Sequence, residues 1–276
     1  MDAGEAMAWV PLLTEDGSWT LIHGGPDGHG GHGGHGGHGG HGGHGEACHS
    51  REGAWTESVE RYARPCGFGS AGGPGPTRLL DVGTGLGLNL AAVLSLLHEK
   101  RAGAWGSPGL LEITGLEVDR AVLRAAGELG LRADVLAGAP AELRRWWPPV
   151  LEAFGEVLER GGESELVEIA HPETGETAGR LRLFIGDGRR TLARADGALF
   201  DAVFLDAFSP GRAPELWEDA FLGSLAASLA PGGVLSTFTV NRRVRAALAA
   251  AGLSVSDGPA MGRKRAGTLA RRLTQS

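Results

Sequence analysis

The 276-residue sequence predicts an α/β fold built on a doubly wound parallel sheet. Short apolar segments that suit strands alternate with segments of helical periodicity from residue 77 onward. A glycine-rich turn directly follows the first of these strands, and acidic residues follow three others. Because parallel strands end at the same edge of a sheet, we expect these groups to meet there.

The predicted elements alternate in order along the chain. The apolar run 200–205 suits a buried strand, residues 88–98 have helical spacing, and His-Pro-Glu-Thr-Gly at 171–175 suits a hairpin turn. The full order is strand 78–82, helix 88–98, strand 113–118, helix 121–129, one or two helices over about 140–159, hairpin strands 166–169 and 181–185, strand 200–205, a helix near 214–229, strand 234–239, helix 244–250 and two short terminal strands.

The composition excludes several classes of protein. Hydrophobic residues make up 42% and charged residues 21%, which excludes disorder throughout the chain. No apolar run reaches the roughly 18 residues of a membrane span, and Met1–Glu5 shows no feature of a secretory signal. Cys48 and Cys66 are too few for a disulfide framework or a four-cysteine zinc site. We therefore expect a cytoplasmic protein in a reducing setting, without membrane association.

Two regions of different composition divide the chain. Residues 1–76 are predicted to be a small N-terminal extension, and 77–276 the main domain with a helical and hairpin insertion at about 136–180. The extension contains a Gly/His tract at 24–45, with six histidines spaced three residues apart. Glycine spacers cannot hold imidazoles rigidly, so we expect a flexible loop and no dedicated metal site. A His-rich metal-binding protein remains an alternative.

The glycine turn Gly83-Thr84-Gly85-Leu86-Gly87 predicts a ligand site at a helix N-terminus. Its third glycine comes one residue too early for the dinucleotide motif Gly-x-Gly-x-x-Gly. That spacing favours S-adenosylmethionine, whose carboxylate can use the same backbone N–H groups.

Three acids at later strand ends extend this prediction. Glu117 follows the second strand, where a carboxylate can accept hydrogen bonds from ribose hydroxyls. Asp187 follows the third strand, at a position suited to an adenine amino group. Asp206 begins Asp-Ala-Phe-Ser-Pro, which predicts a carboxylate and the Phe208 ring at the cleft. This pair suits a site where a nucleophile, such as an amine, meets the methyl group of the cofactor.

The net charge of −7 is unevenly distributed. Residues 241–276 carry +7, with eight basic residues against Asp257, so the remainder carries −14. A basic face of this kind suits a phosphate backbone, although a general preference for arginine explains it equally well.

Several motifs, taken in order, resemble those of the tRNA 5-methylaminomethyl-2-thiouridine methyltransferases. They are Gly-Glu-Ala-Cys-His-Ser at 45–50, Leu-Asp-Val-Gly-Thr-Gly-Leu-Gly-Leu-Asn at 80–89, Leu-Asp-Ala-Phe-Ser-Pro at 205–210, Pro-Glu-Leu-Trp at 214–217, Pro-Gly-Gly at 231–233, Thr-Phe-Thr at 237–239 and Gly-Arg-Lys-Arg at 262–265. The resemblance implies a class I S-adenosylmethionine-dependent fold, which is a Rossmann-like doubly wound sheet. It also implies N-methylation of the aminomethyl group on wobble uridine 34 of tRNA.

The resemblance implies roles for particular residues. Asp206 and Phe208 would frame the target amine, and tRNA would contact Arg263, Lys264 and Arg265. Cofactor binding would involve Asp81, Gly83, Gly85, Gly87, Asn89, Glu117 and Asp187. The bifunctional members also carry an FAD-dependent oxidoreductase, so a chain ending at Ser276 is expected to be the stand-alone methyltransferase, with a separate oxidoreductase acting before it. A small-molecule amine transferase similar to the spermidine synthases remains an alternative.

Overall fold

The structure, a computed structural model, describes residues 9–23, 46–70, 77–99, 110–161, 163–195, 197–261 and 266–274. The Gly/His tract at 24–45, and with it the expected flexible loop, lies outside the described residues. So do Arg263, Lys264 and Arg265, on which the predicted tRNA contact rests.

The main sheet of the described residues has eight strands in the order β5-β6-β4-β3-β7-β8-β10-β9. Chain order reverses at β3, where β4 pairs on one side and β7 on the other, so ligands are expected at the carboxyl ends of these strands. The strands are β3 (Arg78–Val82), β4 (Leu111–Glu117), β5 (Glu163–Ala170), β6 (Thr177–Ile185), β7 (Phe200–Leu205), β8 (Leu229–Thr237), β9 (Leu253–Asp257) and β10 (Thr268–Arg272).

The sheet is mixed: a parallel central part is flanked by antiparallel strands, one of which belongs to the predicted hairpin. Strands β6, β4, β3, β7 and β8 are parallel, as expected from their helical connections. Strand β5 is antiparallel to β6 because the short turn at 171–176 can only reverse the chain. Strand β10 inserts between β8 and β9 and is antiparallel to both.

Helices cover both faces of the sheet, as the prediction of a doubly wound sheet requires. Alternate residues of each central strand face opposite cores: Leu79 and Phe204 face one, whereas Leu80 and Leu205 face the other. The first core includes α2 (Leu88–Glu99), α3 (Arg120–Gly130), α4 (Ala133–Gly138) and α5 (Ala141–Glu159), and the second includes α7 (Asp219–Ser228) and α8 (Arg242–Ala250). A short helix, α6 (Gly188–Thr191), follows β6, and residues 140–159 form one helix rather than two.

The described part of the N-terminal region packs onto the sheet. A hairpin of β1 (Trp9–Leu13) and β2 (Trp19–His23) pairs with Ala47 through an isolated bridge at Ile22. The short helix α1 (Ala54–Glu57) continues into a π-helical segment, Ser58–Ala63. Its Tyr62 is fully buried against Phe204 of β7. The boundary proposed at residue 76 stays a prediction, since 71–76 are outside the described residues.

Two glycines of the turn after β3 are required for different reasons. Gly83 has φ 86°, and a Cβ there would lie 2.7 Å from the carbonyl oxygen of Asp206. Gly87 has φ 76°, and a Cβ there would lie 2.8 Å from carbons of Phe154 and Val150 on α5. The first glycine allows two strand ends to approach, and the second allows two helices to pack.

Among the described residues, none of the helices combines the length and the apolar character that a membrane crossing requires.

Candidate active site

Two cavities lie at the carboxyl edge of the sheet and share one wall. The first, of about 400 Å³, is lined by residues of the loops after β3, β4, β6 and β7 and by Trp9 and His23 of the hairpin. The second, of about 550 Å³, is lined by segment 46–52, by Glu57 and Arg61, and by residues near the ends of β8 and β10. Asp206, Ala207 and Phe208 line both. A group bound in one cavity can therefore meet a group bound in the other along this wall.

The first cavity brings together four of the predicted site residues. Gly83, Glu117, Asp187 and Asp206 all line it, although they are separated by up to 123 positions in sequence. A volume of this size suits a small organic ligand. The structure thus places the predicted strand-end groups around one space, while their individual roles remain predictions.

Glu117 fixes the shape of the glycine turn. Its Oε2 accepts a hydrogen bond of 2.8 Å from the backbone N–H of Gly85, and its Oε1 accepts from the N–H groups of Val118 and Asp119. Burial raises the pKa of the Glu117 carboxyl, while these three donors oppose the shift. The carboxylate is therefore held rigidly at the cavity wall.

Asp187 lies at the rim of the same cavity, in a more exposed setting. Its side chain caps α6 by accepting from the N–H of Arg189, and it also pairs with the Arg189 guanidinium at 2.6 Å. That guanidinium holds the pKa of Asp187 below its usual value. Asp187 is thus both a helix cap and a lining carboxylate.

Within the described structure, the first cavity is not lined by four of the predicted cofactor residues: Asp81, Gly85, Gly87 and Asn89. Gly85 contributes through its bond to Glu117, and Gly87 through helix packing. Asp81 is fully buried, and burial raises its pKa to about 8. The Asn89 amide donates to Asp81 Oδ1 at 3.4 Å and to Asp206 Oδ2 at 2.9 Å, which links the turn to the shared wall.

Asp206 is held by side chains from three separate elements. The Tyr62 hydroxyl donates to its Oδ1 at 2.5 Å, and Asn89 donates to its Oδ2. His49 Nδ1 lies 3.6 Å from the same Oδ2. Burial, together with the charge of Glu57, raises the pKa of Asp206 well above its usual value, and the Tyr62 and Asn89 hydrogen bonds oppose this. Such a carboxyl group is oriented and accepts a proton more readily than an exposed one.

The second cavity has a buried ion pair in its wall. Glu57 Oε1 lies 3.1 Å from Arg61 Nε, and both side chains are almost completely buried. The other Glu57 oxygen accepts a 2.6 Å hydrogen bond from the backbone N–H of Ser50. This pair therefore fastens segment 46–50 to the helix that carries Tyr62.

Segment 46–50 is also fastened to the loop after Asp206. Glu46 accepts hydrogen bonds from both the backbone N–H and the hydroxyl of Ser209, each at 2.9 Å. The two halves of the second cavity are therefore joined directly at the shared wall.

Phe208 lies in a cluster of rings at the first cavity. Its ring stacks on Trp9 with centroids 6.1 Å apart and an interplanar angle of 9°, and His23 meets it edge-on. The Arg212 guanidinium lies over the Phe208 ring, 5.9 Å from the ring centroid. The predicted aromatic group is thus at the cavity, with the N-terminal hairpin completing its surroundings.

Sequence reasoning assigned no role to several residues of the site. Tyr62, Glu57 and Arg61 reach it only because segment 46–63 folds back onto β7 and β8. The sequence offers two weak signals for this region: the motif at 45–50, which contains His49, lies close to it, and Tyr62 is the only tyrosine of the chain. Neither signal shows that Asp206 is the partner of His49 or Tyr62.

Comparison with known proteins bears on the class of protein. Residues 154–272 match a family described as S-adenosyl-L-methionine-dependent methyltransferase. The tRNA 5-methylaminomethyl-2-thiouridine biosynthesis bifunctional protein MnmC of Caulobacter sp. (strain K31) is 32% identical over 186 residues, covering 67% of this chain and 28% of that protein. MnmC of Aromatoleum aromaticum (strain DSM 19018 / LMG 30748 / EbN1) is 32% identical over 192 residues, covering 68% and 26%. The chain thus spans little more than a quarter of these relatives.

A solved structure extends the match to the whole fold. The crystal structure of MNMC2 from Aquifex aeolicus has a TM-score of 0.64 to this chain, covers 99% of it and 74% of its own chain, and is 27% identical. The protein has the class I S-adenosylmethionine-dependent methyltransferase fold, as predicted. Within that class, the chain belongs to the MnmC-type methyltransferase domains, which confirms the resemblance found in its motifs.

Proposed function

We propose that this chain transfers a methyl group from S-adenosylmethionine to the aminomethyl nitrogen on wobble uridine 34 of tRNA. The observation that carries the proposal is the shared wall at Asp206–Phe208, where the two cavities meet. The first cavity would hold the cofactor and the second the aminomethyl group. The MnmC relatives, whose name refers to 5-methylaminomethyl-2-thiouridine biosynthesis, support this substrate.

The residues of the first cavity fit S-adenosylmethionine. Glu117 and Asp187 offer carboxylates on neighbouring loops, and Gly83 lines the cavity beside them. Asp81 Oδ2 is buried without a hydrogen-bond partner within the described structure, which leaves an acceptor behind the turn. Gly83, Glu117 and Asp187 would hold the cofactor, with Asp81, Gly85, Gly87 and Asn89 shaping the turn. When bound, the cofactor supplies an electrophilic methyl group on a sulfonium.

The chain's own contribution is to orient and deprotonate the amine. Methyl transfer requires in-line approach, so holding the amine in place supplies much of the rate. Asp206 lies at the shared wall, is oriented by two hydrogen bonds, and can accept a proton from the amine. Phe208 would bound the space on the other side of the nitrogen.

The tRNA itself would contact the basic C-terminal part, including Arg263, Lys264 and Arg265. Counterion release would then weaken binding steeply as salt rises. A cytoplasmic location and a separate FAD-dependent oxidoreductase that acts before this step stay predictions.

The test is transfer of labelled methyl to tRNA that carries aminomethyl-uridine, followed by mass spectrometry of the nucleosides. We expect a methylaminomethyl product from the unchanged chain and none from Asp206→Ala. Calorimetry should show that this variant still binds S-adenosylmethionine. Cofactor binding without any transfer to such tRNA would refute the proposal.

A second candidate follows from the acids of the second cavity, Glu46, Glu52, Glu57 and Asp206. Acidic walls also suit a cationic small molecule, as in an amine transferase of the spermidine-synthase type. Competition separates the two: polyamines would inhibit tRNA methylation strongly only if they occupy this cavity as substrates, and they would then be alkylated themselves.

A further inference from the structure

His49 lies beside Asp206 in the wall of the second cavity and contacts none of the described residues proposed to hold the cofactor. His49 is 8% exposed and lines the second cavity, and its Nδ1 is buried without a hydrogen-bond partner within the described structure. That nitrogen lies 3.6 Å from Asp206 Oδ2. The main chain of the histidine is fixed, since its N–H donates to Thr20 Oγ1 at 3.0 Å. The imidazole is therefore directed at the carboxyl group and at the cavity together.

We propose that His49 accepts, through Asp206, the proton that the target amine must lose before it is methylated. This inference rests on the proposed function. His49 acts here as a positioning residue and proton acceptor behind Asp206, while Asp206 meets the substrate.

The need for an acceptor follows from the charge of the amine. An alkylamine is largely an ammonium ion at neutral pH and has no free electron pair. One N–H bond of the ammonium breaks, its electron pair stays on nitrogen, and the proton forms an O–H bond with Asp206. The amine then uses that pair to bond the methyl carbon as the carbon–sulfur bond breaks, with the bonding electrons remaining on sulfur.

Asp206 must pass its proton on before it can take another. Burial raises the pKa of Asp206, so its carboxylate accepts a proton more readily than an exposed carboxylate does. Burial also lowers the pKa of His49, which keeps the imidazole neutral and able to accept. The O–H bond of Asp206 breaks as an N–H bond forms at Nδ1, and Nε2–H gives up a proton to solvent in the second cavity.

Acidic neighbours of His49 oppose part of the effect of burial on its pKa. Acids face it from three elements: Asp206 beyond β7, Glu57 at the end of α1, and Asp16 in the hairpin turn, and the latter two raise its pKa against burial. Arg61 lies in the same cavity wall but is paired with Glu57. The other titratable or charged groups of the cavity are Glu46, Cys48, Arg51 and Glu52. An imidazolium formed in passing therefore has carboxylates around it.

Tyr62 and Asn89 both donate hydrogen bonds to Asp206, so neither is placed to take up its proton. The Tyr62 hydroxyl occupies Oδ1, and the Asn89 amide occupies part of Oδ2. Both are donors toward the carboxylate, and burial keeps the pKa of Tyr62 well above its usual value, so the phenol stays protonated. Among the side chains that contact Asp206 in the described structure, His49 alone offers a basic nitrogen that can take up the proton.

The experiment compares the unchanged chain with His49→Gln, using His171→Gln as a matched control. His171 contacts His98 and Trp146 and lines neither cavity. Methyl transfer to aminomethyl-uridine tRNA is measured from pH 6 to pH 10. We expect His49→Gln to lower kcat by about 100-fold at pH 7, within the usual range for a lost acid–base group. The difference should shrink toward pH 10, as a growing share of the amine becomes neutral in solution.

A purely structural role for His49 predicts a different outcome. A loss that is the same at every pH, or a loss that appears equally in KM for the cofactor, would overturn the proposal. Imidazole added to His49→Ala should restore part of the rate at pH 7 if the proposal holds, and absence of any rescue counts against it.

A spectroscopic measurement on the unchanged chain needs no turnover. Two-bond ¹H–¹⁵N spectra, with the His49 signal identified by its loss in His49→Gln, should show a neutral imidazole at pH 7 with the proton on Nε2 and Nδ1 free to accept. A protonated His49, or a proton on Nδ1, would overturn the proposal even if the variant fails to fold. Failure of the unchanged chain to methylate the tRNA at any pH would instead refute the proposed function, which is a separate result.

Discussion

The two cavities differ in what forms their walls. The first is formed mainly by loops that follow parallel strands, with carboxylates whose positions the sheet itself fixes. The second is formed by segment 46–61, which meets the sheet only through tertiary contacts such as Glu57–Arg61 and Glu46–Ser209. The difference suggests that cofactor affinity and handling of the amine can be altered separately. Changes in segment 46–61 should leave cofactor binding intact.

The largest expected effect tests the wall of the second cavity. Glu57→Gln leaves the buried Arg61 guanidinium without its counterion, which typically costs about 3–5 kcal/mol in the free energy of unfolding. Glu60→Gln is the matched control, because its pair with Arg64 on the same helix is exposed and should contribute less than about 1 kcal/mol. Urea unfolding of the two variants measures the difference. Equal losses would show that segment 46–61 is not anchored by the buried pair.

The next effect concerns Asp81, which lies beneath the glycine turn between the cavities. Its pKa of about 8 in the folded chain exceeds the unfolded value of 3.8, so the unfolded state gives up the proton first as pH rises. The contribution of Asp81 to stability is therefore complete below about pH 4 and is lost progressively up to about pH 8. The slope is at most about 1.4 kcal/mol per pH unit.

Asp81→Asn should remove that slope. Thermal or urea unfolding of both proteins from pH 5 to pH 8 provides the measurement. If the unchanged chain and Asp81→Asn lose stability in parallel over this range, the raised pKa is refuted.

A third test addresses the first cavity alone. Glu117→Ala removes the acceptor of three backbone hydrogen bonds, and each bond to a charged group contributes about 1.5–3 kcal/mol. We expect the dissociation constant for S-adenosylmethionine to rise by roughly 30-fold, equivalent to loss of about one such bond. Glu112→Ala, on an exposed position of the same strand, is the control. Calorimetry that shows the same affinity for both would remove Glu117 from the cofactor site.

The smallest effect is expected at the rim. Asp187 is paired with Arg189 in an exposed setting, so Asp187→Ala should change stability by less than about 1 kcal/mol. Affinity for the cofactor should fall only about threefold, since solvent can replace part of what the carboxylate provides. The same calorimetry compares the two variants. If Asp187→Ala loses as much affinity for the cofactor as Glu117→Ala, burial does not determine how much each carboxylate contributes to cofactor binding.

Much of the first cavity could be predicted from the sequence, because local patterns carry its position. The glycine turn, Glu117, Asp187 and Asp206 each follow an apolar strand, and parallel pairing then brings them to one edge. The hairpin of β5 and β6 was likewise readable from its turn. The two terminal strands were also predicted, but the position of β10 between β8 and β9 was not, because strand order depends on pairing between distant segments.

The second cavity could be predicted far less well. The contact of Tyr62 with Asp206 spans 144 positions, and no periodicity relates the two. Gly87 was read as part of the cofactor turn, yet its constraint comes from Phe154 on a distant helix. Such roles arise from tertiary packing, which a single sequence does not encode in a local pattern.

The π-helical segment gives the chain a spectroscopic property as well as a structural one. Tyr62 is the only tyrosine in the sequence, and its hydroxyl touches Asp206. Every tyrosine signal, such as the ring resonances of isotope-labelled tyrosine, therefore originates at the shared wall. Ligand arrival there can be followed without attaching a dye or altering a residue.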